Sequence, residues 1–207
     1  MSESDVRDRV RRAFAEHGSF EPAGHGSDGS DSSDVSDGSD VSEGSEGSDK
    51  GEKNDEYRGA NGDEAEVWTA ETTPFDGEVR AEPASDGRVR FAVTVRVPTL
   101  SAVTADEVAD VVEEGWAETF ELRVIDVGGV TRRDREFDPV VEIGTNEIVV
   151  EFELIDGNER LGVDDAGALI DFVEGTYVQG VIPGYEYTDP VAGLLSAARR
   201  QGTDGGF

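Results

Sequence analysis

The chain has two histidines, His17 and His25, and no cysteine, which excludes disulfides, thiol chemistry and thiolate metal sites. A catalytic constellation needs a nucleophile, a base and an oxyanion site, or a metal. His17 falls at the end of a predicted helix, where it covers the core edge or meets the helix dipole. His25 stands beside a low-complexity tract. Zinc would need carboxylates in place of the missing thiolates, a poor match. Asp164 with Asp165 has the form of a paired-carboxylate site, but its place before an apolar stripe reads as helix capping. Gly128-Gly129 followed by Arg132, Arg133 and Arg135 has residues that suit a phosphate. Those glycines end a helix instead of starting one, and the phosphate-loop spacing is absent, so a solvated basic loop facing an acidic surface is expected. No catalytic, cofactor-binding or metal-ligating residue is assigned, and no cofactor is expected.

Five aromatic residues remain, Trp116, Phe120, Tyr177, Tyr185 and Tyr187. Such rings are more often core than pocket, and a groove left between the helices and segment 181–187 is the candidate binding surface.

A few strong patterns must position these side chains. Val89, Phe91, Val93, Val95 and Val97 alternate with polar or small residues, the clearest strand signal in the chain, and Pro98 stops it. Thr104-Ala-Asp-Glu107 reads as a capping box for a helix near 105–127. Val108, Val111, Val112, Trp116, Phe120, Val124 and Val127 recur there at helical spacing. Upstream, Trp68, Ala70 and Thr72 share one side of a strand, 73–77 turns, and Val79 and Ala81 face inward on a second short strand. Downstream, PVVEIG and EIVVEFELI flank Thr145-Asn146 as two more strands. Ala166, Leu169, Ile170, Val173 and Tyr177 mark a helix near 164–179. Asp189-Pro190 opens a short last helix. The expectation is an α+β fold: residues 65–97 and 138–155 form an antiparallel five-stranded sheet, in the order helix, three strands, helix, two strands, two helices.

The expected domain plan has four parts. An N-terminal helix within 1–20, opened by Ser4-Asp5 and with Val6, Val10, Ala13, Phe14 and His17 on one face, packs on the main domain. Its Arg7, Arg9, Arg11 and Arg12 pair with the protein's own acidic surface. Residues 24–62 hold a Ser/Asp/Gly-rich tract with an acid at every third position from Asp28 to Asp55, no apolar periodicity and no calcium-loop spacing, read as a disordered tether. Residues 65–200 form the α+β domain, and 201–207 fray.

Charge narrows the partners. The chain carries 48 acidic against 18 basic residues, a formal charge of -30. Such a surface repels phosphate backbones and anionic headgroups, so neither nucleic acid nor membrane is an expected partner. The tract 27–56 holds eleven acids and two lysines, so most of the charge lies elsewhere. Those two, Lys50 and Lys53, are the only lysines in the chain. Abundant acids with almost no lysine fit a protein working in dense salt, which screens self-repulsion. No apolar run approaches the length of a membrane span, and the start has no apolar signal core, so a cytoplasmic location is expected.

VRVPTLSAV at 95–103, EEGWAETFELRV at 113–124 and VIPGYEYTDPV at 181–191 belong together with TTPFDGEV at 72–79 and AFAEHGSFE at 13–21. The set resembles an uncharacterised family of small acidic proteins from halophilic archaea. The resemblance implies source and soluble location, and carries no activity. The order of elements is also similar to that of type III secretion chaperones, which implies dimers and binding of extended peptides. This analogy is one of topology alone, and the C-terminal helix departs from it. A non-enzymatic binding or adaptor domain of chaperone-like type is the expected function. Its expected partner is a protein or peptide, with a homodimer left open. An enzyme acting on a small metabolite through a carboxylate and arginine site is the alternative.

Overall fold

The computed structural model describes residues 2–23 and 65–204. His25 and the acidic tract lie outside the described residues. The chain divides into two units, residues 1–25 with 65–207, and 26–64. Every helix and strand described here belongs to the first unit.

Four helices and six strands make an α+β fold: α1 (Glu3–His17), β1 (Phe20–Pro22), β2 (Glu66–Ala70), β3 (Asp76–Pro83), β4 (Val89–Pro98), α2 (Asp110–Ile125), β5 (Val140–Ile143), β6 (Glu147–Asp156), α3 (Glu159–Gln179) and α4 (Val191–Asp204). The strands form one antiparallel sheet in the order β1-β2-β3-β4-β6-β5. Six strands replace the expected five. The addition, β1, pairs Phe20 with Ala70 and Pro22 with Trp68 at the sheet edge. Three residues are too few to show a period of two, so its pairing partner makes it a strand.

β4 is the sheet's spine, bonded to β3 over eight residue pairs and to β6 over ten. Val89, Phe91, Val93, Val95 and Val97 all point to one buried face, as their alternation requires. β6 lays Ile148, Val150, Phe152 and Leu154 beside them. The opposite face carries Glu78, Arg80, Arg90, Arg96, Glu151 and Glu153 among smaller residues, with Arg96 near Asp76 and Glu78 and Arg90 near Glu153. The buried face is covered by helices, the other left open and charged, which is how an antiparallel sheet presents one side to water.

β4 and β5 both run antiparallel to β6, hence parallel to each other. The passage β4–α2–β5 is therefore a crossover connection with β6 inserted between its strands. α3 packs along β4 and β6, and α1 packs beside it against β3 and α3. Phe14 of α1 is fully buried and stacks on Trp68 with ring centroids 4.6 Å apart. α3 reaches the sheet so closely that a Cβ on Gly162 would lie 2.2 Å from the Phe91 ring.

Three predicted helix starts move. α1 opens on a capping box of Ser2 and Asp5, not at Ser4. Asp110 begins α2, not 105: Thr104 instead bridges to Tyr187, and the 104–107 capping box does not form. The Glu113 carboxylate serves the preceding turn, accepting from Leu100 N at 2.9 Å and Ser101 N at 2.7 Å. α3 begins at Glu159 with Asn158 as its cap, accepting from Leu161 N at 3.2 Å. Asp164 and Asp165 thus lie one turn inside the helix and cap nothing. α4 continues to Asp204, into the stretch read as a frayed tail.

Candidate functional site

The five aromatic candidates split. Trp116 and Phe120 on α2 and Tyr177 on α3 come together as buried rings: Trp116 lies 5.4 Å from Tyr177 and 5.9 Å from Phe120 between centroids. Phe75 packs edge-on against Tyr177 with centroids 4.8 Å apart. Trp116 Nε1 donates to Gly180 O at 2.9 Å, tying α2 to the end of α3. Tyr185 and Tyr187 sit on the loop after α3, half-buried. Tyr187 folds that loop on itself, accepting from Ile182 N at 2.9 Å and donating to Ile182 O at 3.1 Å. Burial, with Tyr187 and Glu113 adding to it, pushes the Tyr177 hydroxyl well above the usual tyrosine range, and burial raises Tyr187 as well.

A cleft of about 290 Å³ runs between α2 and α3. Trp116 and Phe120 line it with Val112, Thr119, Arg123 and Ile182. Tyr177, Tyr185 and Tyr187 do not. The groove read from sequence is therefore a core cluster with a cleft along one edge.

The structure also exposes apolar side chains, among them Val111, which helical spacing had placed with Trp116 and Phe120. Among the described residues the large exposed hydrophobics are Val111 (75% exposed), Leu122 (70%), Ile125 (50%), Val140 (52%) and Ile143 (49%). All five belong to α2 and β5, the helix and edge strand of the crossover. α2 buries Trp116, Ala117, Phe120 and Val124 on one side and shows Val111, Leu122 and Ile125 on the other. A helix apolar on both sides has a second surface to cover.

A second cleft, of about 360 Å³, is polar and lies between the end of α1, the strand edge at Ala70 and α3. His17, Arg132, Asp164 and Asp171 line it, with the hydroxyls of Ser19 and Thr72. His17 Nε2 lies 3.6 Å from Asp164 Oδ1, and Arg132 Nε 3.2 Å from Asp164 Oδ2. The polar contact of His17 is thus with a carboxylate, not with either hydroxyl. An ion-pair scaffold stands behind the cleft. Arg133 Nη1 donates to both oxygens of buried Asp156, at 2.9 and 2.8 Å. Arg135 also bonds Asp156 and places its Nε 3.5 Å from Oδ2 of buried Asp165. Asp165 Oδ1 accepts from Arg132 N at 2.9 Å.

The predicted solvated basic loop is therefore pinned to two buried carboxylates. The sequence does carry a signal for both. Asp156 continues the inward alternation of β6 by one step beyond Leu154, and Asp165 falls four residues before Leu169 on the apolar stripe of α3. A carboxylate on a buried row needs an internal cation. Among the described residues no group of three or more His, Asp or Glu side chains is arranged to hold a metal ion, and no helix is long and apolar enough to cross a membrane.

The model of a family of unknown function matches residues 52–197, a span that leaves out α1. No curated protein and no solved structure matches the chain.

Proposed function

The chain belongs to that family of unknown function (DUF5813), so function rests on surface chemistry, and we propose a non-enzymatic interaction domain. It binds a protein or peptide segment on the β4–α2–β5 crossover, as an adaptor or chaperone-like factor in a salt-rich cytoplasm. One observation carries this reading: every large exposed hydrophobic among the described residues lies on α2 or β5. Val111, Leu122 and Ile125 share the outer side of α2, and on so acidic a protein such an apolar row marks a place that another molecule covers. The cleft lined by Trp116, Phe120 and Ile182 adjoins it and gives an apolar anchor somewhere to seat.

Site-specific photo-crosslinking in the source cells tests this reading. A photoreactive side chain at Leu122 should capture one recurrent partner, and the same group at Arg80 on the open sheet face should not. Equal capture at both positions, or none at Leu122, would reject the reading.

The polar cleft favours a second reading, an enzyme or binder for a small metabolite, because it brings Arg132, His17, Asp164 and Asp171 to one concavity. Mass spectrometry of small molecules retained on protein purified in native salt discriminates the two. A stoichiometric metabolite lost on Arg132→Ala would favour the cleft.

A further inference from the structure

The exposed side of α2 has a finer pattern than apolarity. Val111, Gly115, Glu118, Leu122 and Ile125 follow one another at spacings of four, three, four and three residues. That is the 3.5-residue repeat of a helix–helix seam, which another helix packs against. All five are exposed. The row is about 21 Å long at 1.5 Å per residue, matching a partner helix of about four turns. A Cβ on Gly115 would meet nothing within 4 Å, so none of the described residues crowds the row there. A glycine at that point lets a second backbone approach closely.

Glu118 stands at the centre of the row, seven residues from Val111 and seven from Ile125. Asp110, Glu114 and Glu121 flank it, against Arg123 as the one base on α2. A carboxylate in mid-seam is costly when covered unless a cation meets it. We infer that the row takes an amphipathic helix of another protein that has apolar seam residues and a Lys or Arg opposite Glu118. This rests on the interaction-domain reading above and names its partner's chemistry.

A second copy of this chain is the competing occupant, and the same residue argues against it. Because Glu118 is the midpoint, a two-fold pairing of α2 with its copy, centred on the row and parallel or antiparallel, sets Glu118 against Glu118. Like charges brought together and desolvated oppose that contact.

A charge swap tests the inference on the full chain. The probes are two helical peptides of about 18 residues with leucine at the seam positions, one carrying lysine and the other glutamate at the central seam position. Binding is read by fluorescence anisotropy at fixed salt. The native protein should prefer the lysine peptide by about tenfold, and Glu118→Lys should reverse the preference. Glu118 is exposed, so this variant keeps the core intact, and an unchanged melting temperature verifies that. An unchanged preference in Glu118→Lys overturns the inference, as does binding of neither peptide. A native dimer in sedimentation that Leu122→Glu dissociates also overturns it, in favour of the second copy. The photo-crosslinking experiment is independent of these outcomes. A partner captured at Leu122 whose contact segment lacks a basic residue leaves the interaction domain standing and removes this inference alone.

Discussion

Gly162 and Phe91 define how closely α3 lies on the sheet: a Cβ built on Gly162 would stand 2.2 Å from Phe91 Cε2 and 2.5 Å from Cζ. Both residues are buried, so neither can swing into open space. Alanine favours a helix over glycine by about 1 kcal/mol. Here the overpacking cost of roughly 1–3 kcal/mol or more wins. Gly162→Ala should lower stability in urea titration, and a gain would mean that α3 stands farther from β4.

Asp156 is the hub of the 131–135 loop, receiving Arg133, Arg135 and the Asn158 amide at 2.8 Å. Asp156→Ala takes the shared carboxylate from Arg133 and from the largely buried Arg135, whose remaining carboxylate is Asp165 at 3.5 Å, and should cost about 3–5 kcal/mol. Amide exchange across 131–135 should quicken in the same variant. A loss under about 1 kcal/mol would show that the pairs offset only their own desolvation.

Trp116 and Leu122 sit on the same helix with opposite roles. Trp116→Ala opens the ring cluster and removes the bond to Gly180, so a loss of about 3–5 kcal/mol is expected. Leu122→Ser should change stability by no more than about 0.5 kcal/mol, because the side chain already faces water. Denaturant midpoints of the two variants decide, and comparable losses would contradict the exposed row.

Alkali should expose the buried tyrosine. The folded Tyr177 hydroxyl titrates above its unfolded value near 10. Below about pH 10 both states hold the proton and no stability is lost. Above it the unfolded chain releases the proton first, so stability falls by up to about 1.4 kcal/mol per pH unit for this group. Tyrosinate absorbance at 295 nm should show one tyrosine ionising only as the fold collapses. Ionisation of all tyrosines near pH 10 with the circular dichroism unchanged would contradict its burial.

Salt should govern folding. The formal charge of -30 favours expansion of the chain. At about 0.01 M salt the Debye length is ~30 Å, so nearly every carboxylate feels the others, and near 1 M it is ~3 Å. Melting temperature should climb as potassium chloride rises from millimolar to molar, with further gain in sodium sulfate at matched ionic strength. A flat or falling series would remove the case for a salt-rich setting.

What the sequence determined by itself was the set of faces. Alternation in 89–97 and 148–154 placed the inward apolar residues of β4 and β6, and Pro98 marked where β4 stops, because period and proline act through the local backbone. The apolar stripe of α3 from Ala166 to Tyr177 held for the same reason. Starts were less legible. Thr104 and Glu107 have the capping pattern, yet Thr104 pairs with Tyr187, a residue more than eighty positions away, and tertiary pairing overrides local preference.

Only the tertiary structure decided the rest. β1 exists because β2 lies beside it. Arg133 and Arg135 are bound because Asp156 and Asp165 lie buried within reach, and solvation of a loop cannot be read from the loop. Trp116 and Val111 are alike as apolar letters on one helical pattern. Which of them meets α3 and which meets water depends on how α2 is rotated against α3, and that rotation is fixed by contacts between segments distant in the chain.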